Sequence, residues 1–171
     1  MDQARSGAWS IFDYEKRQLQ AYGDYSFPTT EYTYAQAIVG ICDLVKFLVL
    51  RHNISAVFIE DIQLRKNVDS FKKLAQLQGA LIAMFECEEY LYDYIPPTKW
   101  QSFCNARGRT AKEIKSNIID IKPDKHQSKV LSIQFVADKF NVVTYNDNVS
   151  DSICMGYYVC ENIEIRRDKN A

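Results

Sequence analysis

Three acidic positions carry the chemistry open to this chain. Glu60 closes the apolar run ISAVFIE (54–60), Asp151 stands beside Ile153, Cys154 and Met155 in NDNVSDSICMGYY (146–158), and Asp2 opens MDQARSG (1–7). Asp147 and Asn148 precede Asp151 by four and three residues, and residues so spaced share a helix face, so either can point where Asp151 points. Asp2, Glu60 and Asp151 together would offer only hard oxygen ligands, which suit Mg²⁺ or Mn²⁺ rather than zinc. Two such ions about 3.5–4 Å apart activate a water and stabilise the leaving oxygen in phosphodiester hydrolysis. Each acid also has a plainer reading. Glu60 is equally a solvated strand-end residue, and Asn146 or Asp147 can be a helix N-cap with the second acid favoured by the helix dipole. Nothing in the periodicity requires the three acids to meet.

The elements that must position them follow from apolar spacing. AWSIFD (8–13) and RQLQAYGDYSF (17–27) read as a hairpin of two strands. Residues 31–52 form a helical pattern through Ala35, Ile38, Val39, Cys42, Val45 and Leu48, with Thr30 as N-cap. The run 54–60 is nearly unbroken in β-branched and aromatic residues, as in a central strand buried on both faces, and it places Glu60 at a carboxyl end, where open α/β sheets carry their functional groups. Phe71, Leu74, Leu77, Leu81 and Phe85 recur every three or four residues in a second helix over 68–90. YLYDYI (90–95) is a strand ended by Pro96 and Pro97, 128–140 is a helix, and 149–165 is a last element apolar on one side. The order predicts a layered α/β domain whose central sheet carries helices on both faces.

Length and charge narrow the class. With 171 residues and 47% hydrophobic content, one domain is expected over 1–171. A net charge of −1 excludes a global basic field, so a nucleic-acid surface must come from clusters. One cluster is Lys99, Arg107, Arg109, Lys112 and Lys115, interleaved with Trp100; another is Arg65, Lys66, Lys72 and Lys73. Each is also readable as a solvated face. Cys42, Cys87, Cys104, Cys154 and Cys160 form no CxxC pair, and reduced buried thiols in a cytoplasmic setting are expected. His52 and His126 have no Ser or Cys nucleophile nearby in sequence. The first residues form no charged-then-apolar leader, and no uncharged run approaches bilayer length, so no membrane partner is expected.

The ordered set DQARSG, VFIEDIQLRKNVDSFKKLAQLQGA (57–80), PPTKWQ, GRTAKEIK and NVSDSI resembles the RuvC-type Holliday junction resolvases of the ribonuclease-H-like superfamily, in particular their phage branch. The resemblance implies a mixed central sheet and a Mg²⁺-dependent nuclease, with Mn²⁺ substituting, that cuts four-way or branched DNA to leave 5′-phosphate and 3′-hydroxyl ends. It implies a homodimer joined through the second helix, in a bacterial cell or phage-infected host. Carried over by residue, Asp2 bridges both metals, Glu60 binds one and Asp151 the other. The fourth ligand falls at Asn148, where the family has an acid or His; Asn148 supplies a carbonyl oxygen without charge, and Asp147 is the alternative. Gln63 stands where bacterial members carry an aromatic residue, and Gln cannot stack as an aromatic does. Only Met1 precedes Asp2, so the first strand is expected to be truncated, leaving an open slot in the sheet. The rival readings are a nuclease of the same fold acting on flaps, forks or RNA:DNA hybrid, and a junction-binding protein without catalysis.

Overall fold

The computed structural model describes residue 1 and residues 3–62, 67–107 and 127–165. Strands β1 (Ser6–Asp13) and β2 (Gln18–Ser26) form the expected hairpin, antiparallel from Ser6 opposite Ser26 to Asp13 opposite Gln18, with a bulge between Ile11 and Phe12. The turn between them is closed by the Asp13 carboxylate, which accepts from Lys16 N–H at 2.9 Å, and by Arg17 at φ 55°. That backbone hydrogen bond holds the Asp13 carboxyl below its ordinary range.

Helix α1 (Tyr34–His52) begins later than the apolar pattern suggests. Thr33, not Thr30, is the N-cap, because Thr33 and Gln36 form a reciprocal capping box. The residues ahead of it turn on Pro28, whose carbonyl accepts from both Glu31 and Tyr32. Asn53, left-handed at φ 49°, ends α1, and Ile54 N–H then bonds back to Val49 O at 3.0 Å. This cap consumes the start of the apolar run, so β3 is only Val57–Glu60. Helix α2 (Val68–Cys87) is capped by Asn67, and β4 (Tyr92–Ile95) lies parallel to β3 with Glu60 opposite Ile95. A short helix α3 (Pro97–Phe103) follows, which the paired prolines had concealed: Pro97 occupies the first helical position, where its missing N–H costs nothing. Helices α4 (Gln127–Phe140) and α5 (Asp147–Asn162) complete the order. The last element starts at Asp147 rather than 149 because the Asn146 side chain caps it, accepting from Asn148 N–H.

The α/β layering is as expected, but the strands among the described residues form two small sheets, β1–β2 and β3–β4, rather than one. Strand alternation sorts their side chains to two cores. Val57, Ile59, Tyr92 and Tyr94 turn toward Ile41, Val45 and Val49 of α1 and Leu77, Leu81 and Phe85 of α2. Phe58 and Ile95 turn the other way, toward Trp100, Val136, Ile153 and Cys154. Helices therefore cover both faces. Of β3 only Ile59 is fully buried, so the strand is less enclosed than a central one. Helix α5 crosses β1 at close range: a Cβ on Gly156 would lie 2.6 Å from the Phe12 ring, and Ser10 Oγ donates to Ser152 O at 2.7 Å.

Candidate active site at the carboxyl end of β3

Glu60 ends β3, and its polar groups are held from three directions. The Trp100 indole N–H donates to Glu60 Oε1 at 3.0 Å, and Trp100 is only 2% exposed. A buried indole needs an acceptor, and here the acceptor is the predicted metal ligand. Gln3 Nε2 donates to the Glu60 carbonyl at 2.9 Å, and Glu60 N–H donates to the Met1 carbonyl at 3.1 Å. Met1 and Gln3 are the two chain neighbours of Asp2, which itself lies outside the described residues. Gln3 is 4% exposed, and its Oε1 finds no hydrogen-bond partner among the described residues. The Glu60 carboxylate and the orphaned Gln3 carbonyl oxygen are both hard oxygen donors, the kind that suits a hard divalent cation or its water.

The second group of acids stands on the first turns of α5. Asn148 Nδ2 donates to Ser6 O at 3.4 Å, which brings this end of the helix to the start of β1. Asp147 is engaged elsewhere, ion-paired with Lys129 of α4. Asp151 lies partly buried one turn further on, and its charge, after the hydrogen bond with Cys104, burial and the Cys104 charge, helps push the Cys154 thiol up. Cys104, Cys154 and Trp100 belong to one buried cluster, so the indole that holds Glu60 packs in the same core as the α5 turn that follows Asp151. Among the described residues no three Asp, Glu, His or Cys side chains gather as a metal site. Glu60 and Asp151 are the two described members of the expected triad.

Lys99 on α3 and Arg107 just beyond it are exposed on the segment that carries Trp100. Arg65, Lys66, Arg109, Lys112 and Lys115 lie outside the described residues, as do Gln63 and His126. Lys72 and Lys73 sit on the exposed face of α2. His52 ends α1 against Trp9, with ring centroids 6.5 Å apart. Sequence reasoning placed Trp100 only among basic neighbours and passed over Gln3. The available signal for Trp100 was its place just after the second proline of a helix start, which turns it back toward the strand ends.

Topology and site define a layered α/β fold with a carboxylate at the end of a parallel strand pair. Thermus thermophilus RuvC in complex with a Holliday junction substrate superposes with a TM-score of 0.56 at 11% identity, over 82% of this chain and 76% of that one. Another T. thermophilus RuvC structure gives 0.58 at 12%, over 82% and 75%. The yeast mitochondrial Holliday junction resolvase Ydc2 gives 0.50 at 13%, over 91% and 72%. A search of curated proteins finds no match. The family model "Crossover junction endodeoxyribonuclease RuvC" matches residues 3–101, more than half of the chain, and the chain belongs to that family. It is accordingly a structure-selective, junction-resolving nuclease of a divalent-metal-dependent class. No helix among the described residues is long and apolar enough to cross a membrane.

Proposed function

We propose that residues 1–171 form one nuclease domain, acting in the cytoplasm as a homodimer, that resolves four-way and related branched DNA with Mg²⁺, Mn²⁺ substituting. Asp2, Glu60 and Asp151 hold the metal, and Asn148 completes the set in preference to Asp147. The observation that carries this reading is the threefold grip on Glu60: Trp100 on its carboxylate, Gln3 and Met1 on its backbone. Engagement of Asp147 by Lys129 favours Asn148 as the fourth ligand.

Divalent ions at such a site supply Lewis-acid charge at the scissile phosphate and lower the pKa of an attacking water. The chain's own part is placement. The Trp100 indole fixes the Glu60 carboxylate in one orientation, so its ordering cost is met on folding rather than at reaction. Asn148, tied to Ser6, holds the first turn of α5 against β1. Lys99 and Arg107 would contact flanking phosphates, adding affinity without base preference. A junction has two strands to cut, so two copies related by a twofold axis suit it, with α2 as their contact.

The test is cleavage of a synthetic four-way junction beside linear duplex, flap, fork and RNA:DNA hybrid, in Mg²⁺ and in Mn²⁺. Paired nicks on the junction alone are expected, lost in Glu60→Gln while binding persists. A junction bound tightly yet intact at every metal concentration overturns the reading.

A further inference from the structure

The contacts between α4 and α5 fix how the chain must pass from one to the other. Lys129 pairs with Asp147, and Ser132 Oγ meets Ser150 Oγ at 2.9 Å, each pair 18 residues apart in sequence. Toward the other ends of the helices Phe140 and Tyr157 stand edge to face, 5.3 Å between ring centroids. The two helices therefore run parallel. Residues 141–146 must return from the end of α4 to the start of α5, about 16 Å along the axes and about 9 Å across. Six residues cover that only when largely extended, and an extended chain alternates its side chains. Val142 is buried and Thr144 half-buried, while Val143 and Tyr145 project together from the opposite side.

Tyr145 is 94% exposed and Val143 78%, the two highest values of any large apolar side chain among the described residues. One exposed apolar residue is ordinary. This pair is different because its backbone is pinned on both sides. Val142 anchors the segment in the core, and Thr144 Oγ1 accepts from Asn146 N–H at 3.1 Å, the same Asn146 whose side chain caps α5. The ring is thus held outward three residues ahead of Asn148 and six ahead of Asp151, so it faces whatever those residues act on. Asp147, the acid nearest the ring in sequence, is neutralised by Lys129, and its charge does not repel a phosphate backbone there. From the cap of α5 to Asp151 is about 7.5 Å along the helix, which is two to three nucleotides at about 3.4 Å each.

We propose that Tyr145, buttressed by Val143, is a specificity-determining residue of the cutting reaction: its ring stacks on a nucleobase two or three nucleotides from the scissile phosphate, one that a branch point leaves without a stacking neighbour. The proposal rests on the reading that α5 carries metal ligands. A base inside a linear duplex is stacked on both faces and offers the ring nothing, so the contact favours branched DNA. Every base has a π face, so the contact selects structure and not sequence. A protein partner fits this position less well, because it would cover Asn148 and Asp151, which the substrate must reach.

Tyr145→Leu keeps apolar bulk without a π face, and Tyr145→Phe keeps the ring. At so exposed a position neither should move the unfolding midpoint by more than about 2 °C. Binding to a four-way junction and to a linear duplex of equal length is titrated in EDTA, where the DNA stays whole, with 2-aminopurine placed in turn at each of the four nucleotides on either side of the branch point. The native and Phe forms are expected to quench the probe at one of these positions. The Leu form should lose that quenching and bind the junction about tenfold more weakly, with duplex binding unchanged within about twofold. Native-like binding and quenching by the Leu form overturn the proposal, as does an equal loss on junction and duplex. A changed sedimentation coefficient of the Leu form marks a contact between copies of the chain and also overturns it. Junction cutting in Mg²⁺ is scored alongside. A native chain that cuts, with a Leu form that binds and quenches as it does, refutes the stacking alone, whereas a native chain that never cuts refutes the metal reading beneath it.

Discussion

The two ends of β3 are built to different standards. At the carboxyl end, Glu60 is gripped through side chain and backbone by Trp100, Gln3 and Met1. At the amino end, three residues earlier, Val57 lines an apolar slot together with Trp9 and Phe12 of β1 and Met155, Gly156 and Val159 of α5. One four-residue strand therefore joins a region where polar groups are held by long-range hydrogen bonds with one where apolar walls face a cavity. The difference teaches that, among the described residues, the site is not carried by a wide sheet. It rests on a few long-range hydrogen bonds and on the two helical cores behind Ile59 and Phe58.

The largest expected effect breaks the ordered end. Glu60→Gln should lower junction cutting on the order of 10³-fold with binding changed less than about threefold, read by gel-based cleavage and by electrophoretic shift. Next comes a pair of substitutions within β3. Ile59, fully buried, should cost about 2–4 kcal/mol as Ile59→Ala, whereas Val57→Ala beside the slot should cost about 1 kcal/mol; urea unfolding gives both, and equal losses would erase the contrast. Trp100→Phe keeps one aromatic ring, deletes the donor to Glu60 and leaves a small cavity in the core. It should raise the metal concentration for half-maximal cutting about tenfold, against a stability loss of about 1–2 kcal/mol measured by urea unfolding.

Smaller effects lie further from both ends. Lys99→Ala and Arg107→Ala should each weaken junction binding a few-fold and reduce the salt dependence of binding by about one unit of slope. Cys160, lining the slot, has its thiol pushed up from 9.0 to about 11, burial being the main cause. A raised thiol contributes stability that is fully present below the unfolded value and lost as pH rises from about 9 through about 11. Cys160→Ala should flatten that alkaline loss, measured by unfolding at pH 8 and pH 10.5.

The helices and hairpin were legible because a 3.6-residue or alternating apolar pattern is a local signal, and Glu60 was legible as the end of an apolar run. The exact start of α1 was legible too, in the Thr33-x-x-Gln36 spacing, but Thr30, two residues after Pro28, is an equally good local cap. The division of the strands was not, since pairing depends on what lies on the far side of β1 and β3 and no run of residues encodes it. Pro96 and Pro97 read as a terminator, and a proline that stops a strand is locally the same as one that starts α3. Gln3 and Trp100 escaped because each acts through Glu60, 57 and 40 residues away.

Helix α5 reaches both regions, with Asp151 near its start and Gly156 seated on β1 at the Phe12 ring. Five residues of helix separate them by about 7.5 Å along the axis, so a tilt of about 5° about the Gly156 seat displaces the Asp151 backbone by about 0.7 Å. Catalytic geometry tolerates about 0.5 Å. The helix is a lever whose fulcrum lies on the wall of the slot, and whatever steadies that wall sets the aim of the carboxylate at the other end.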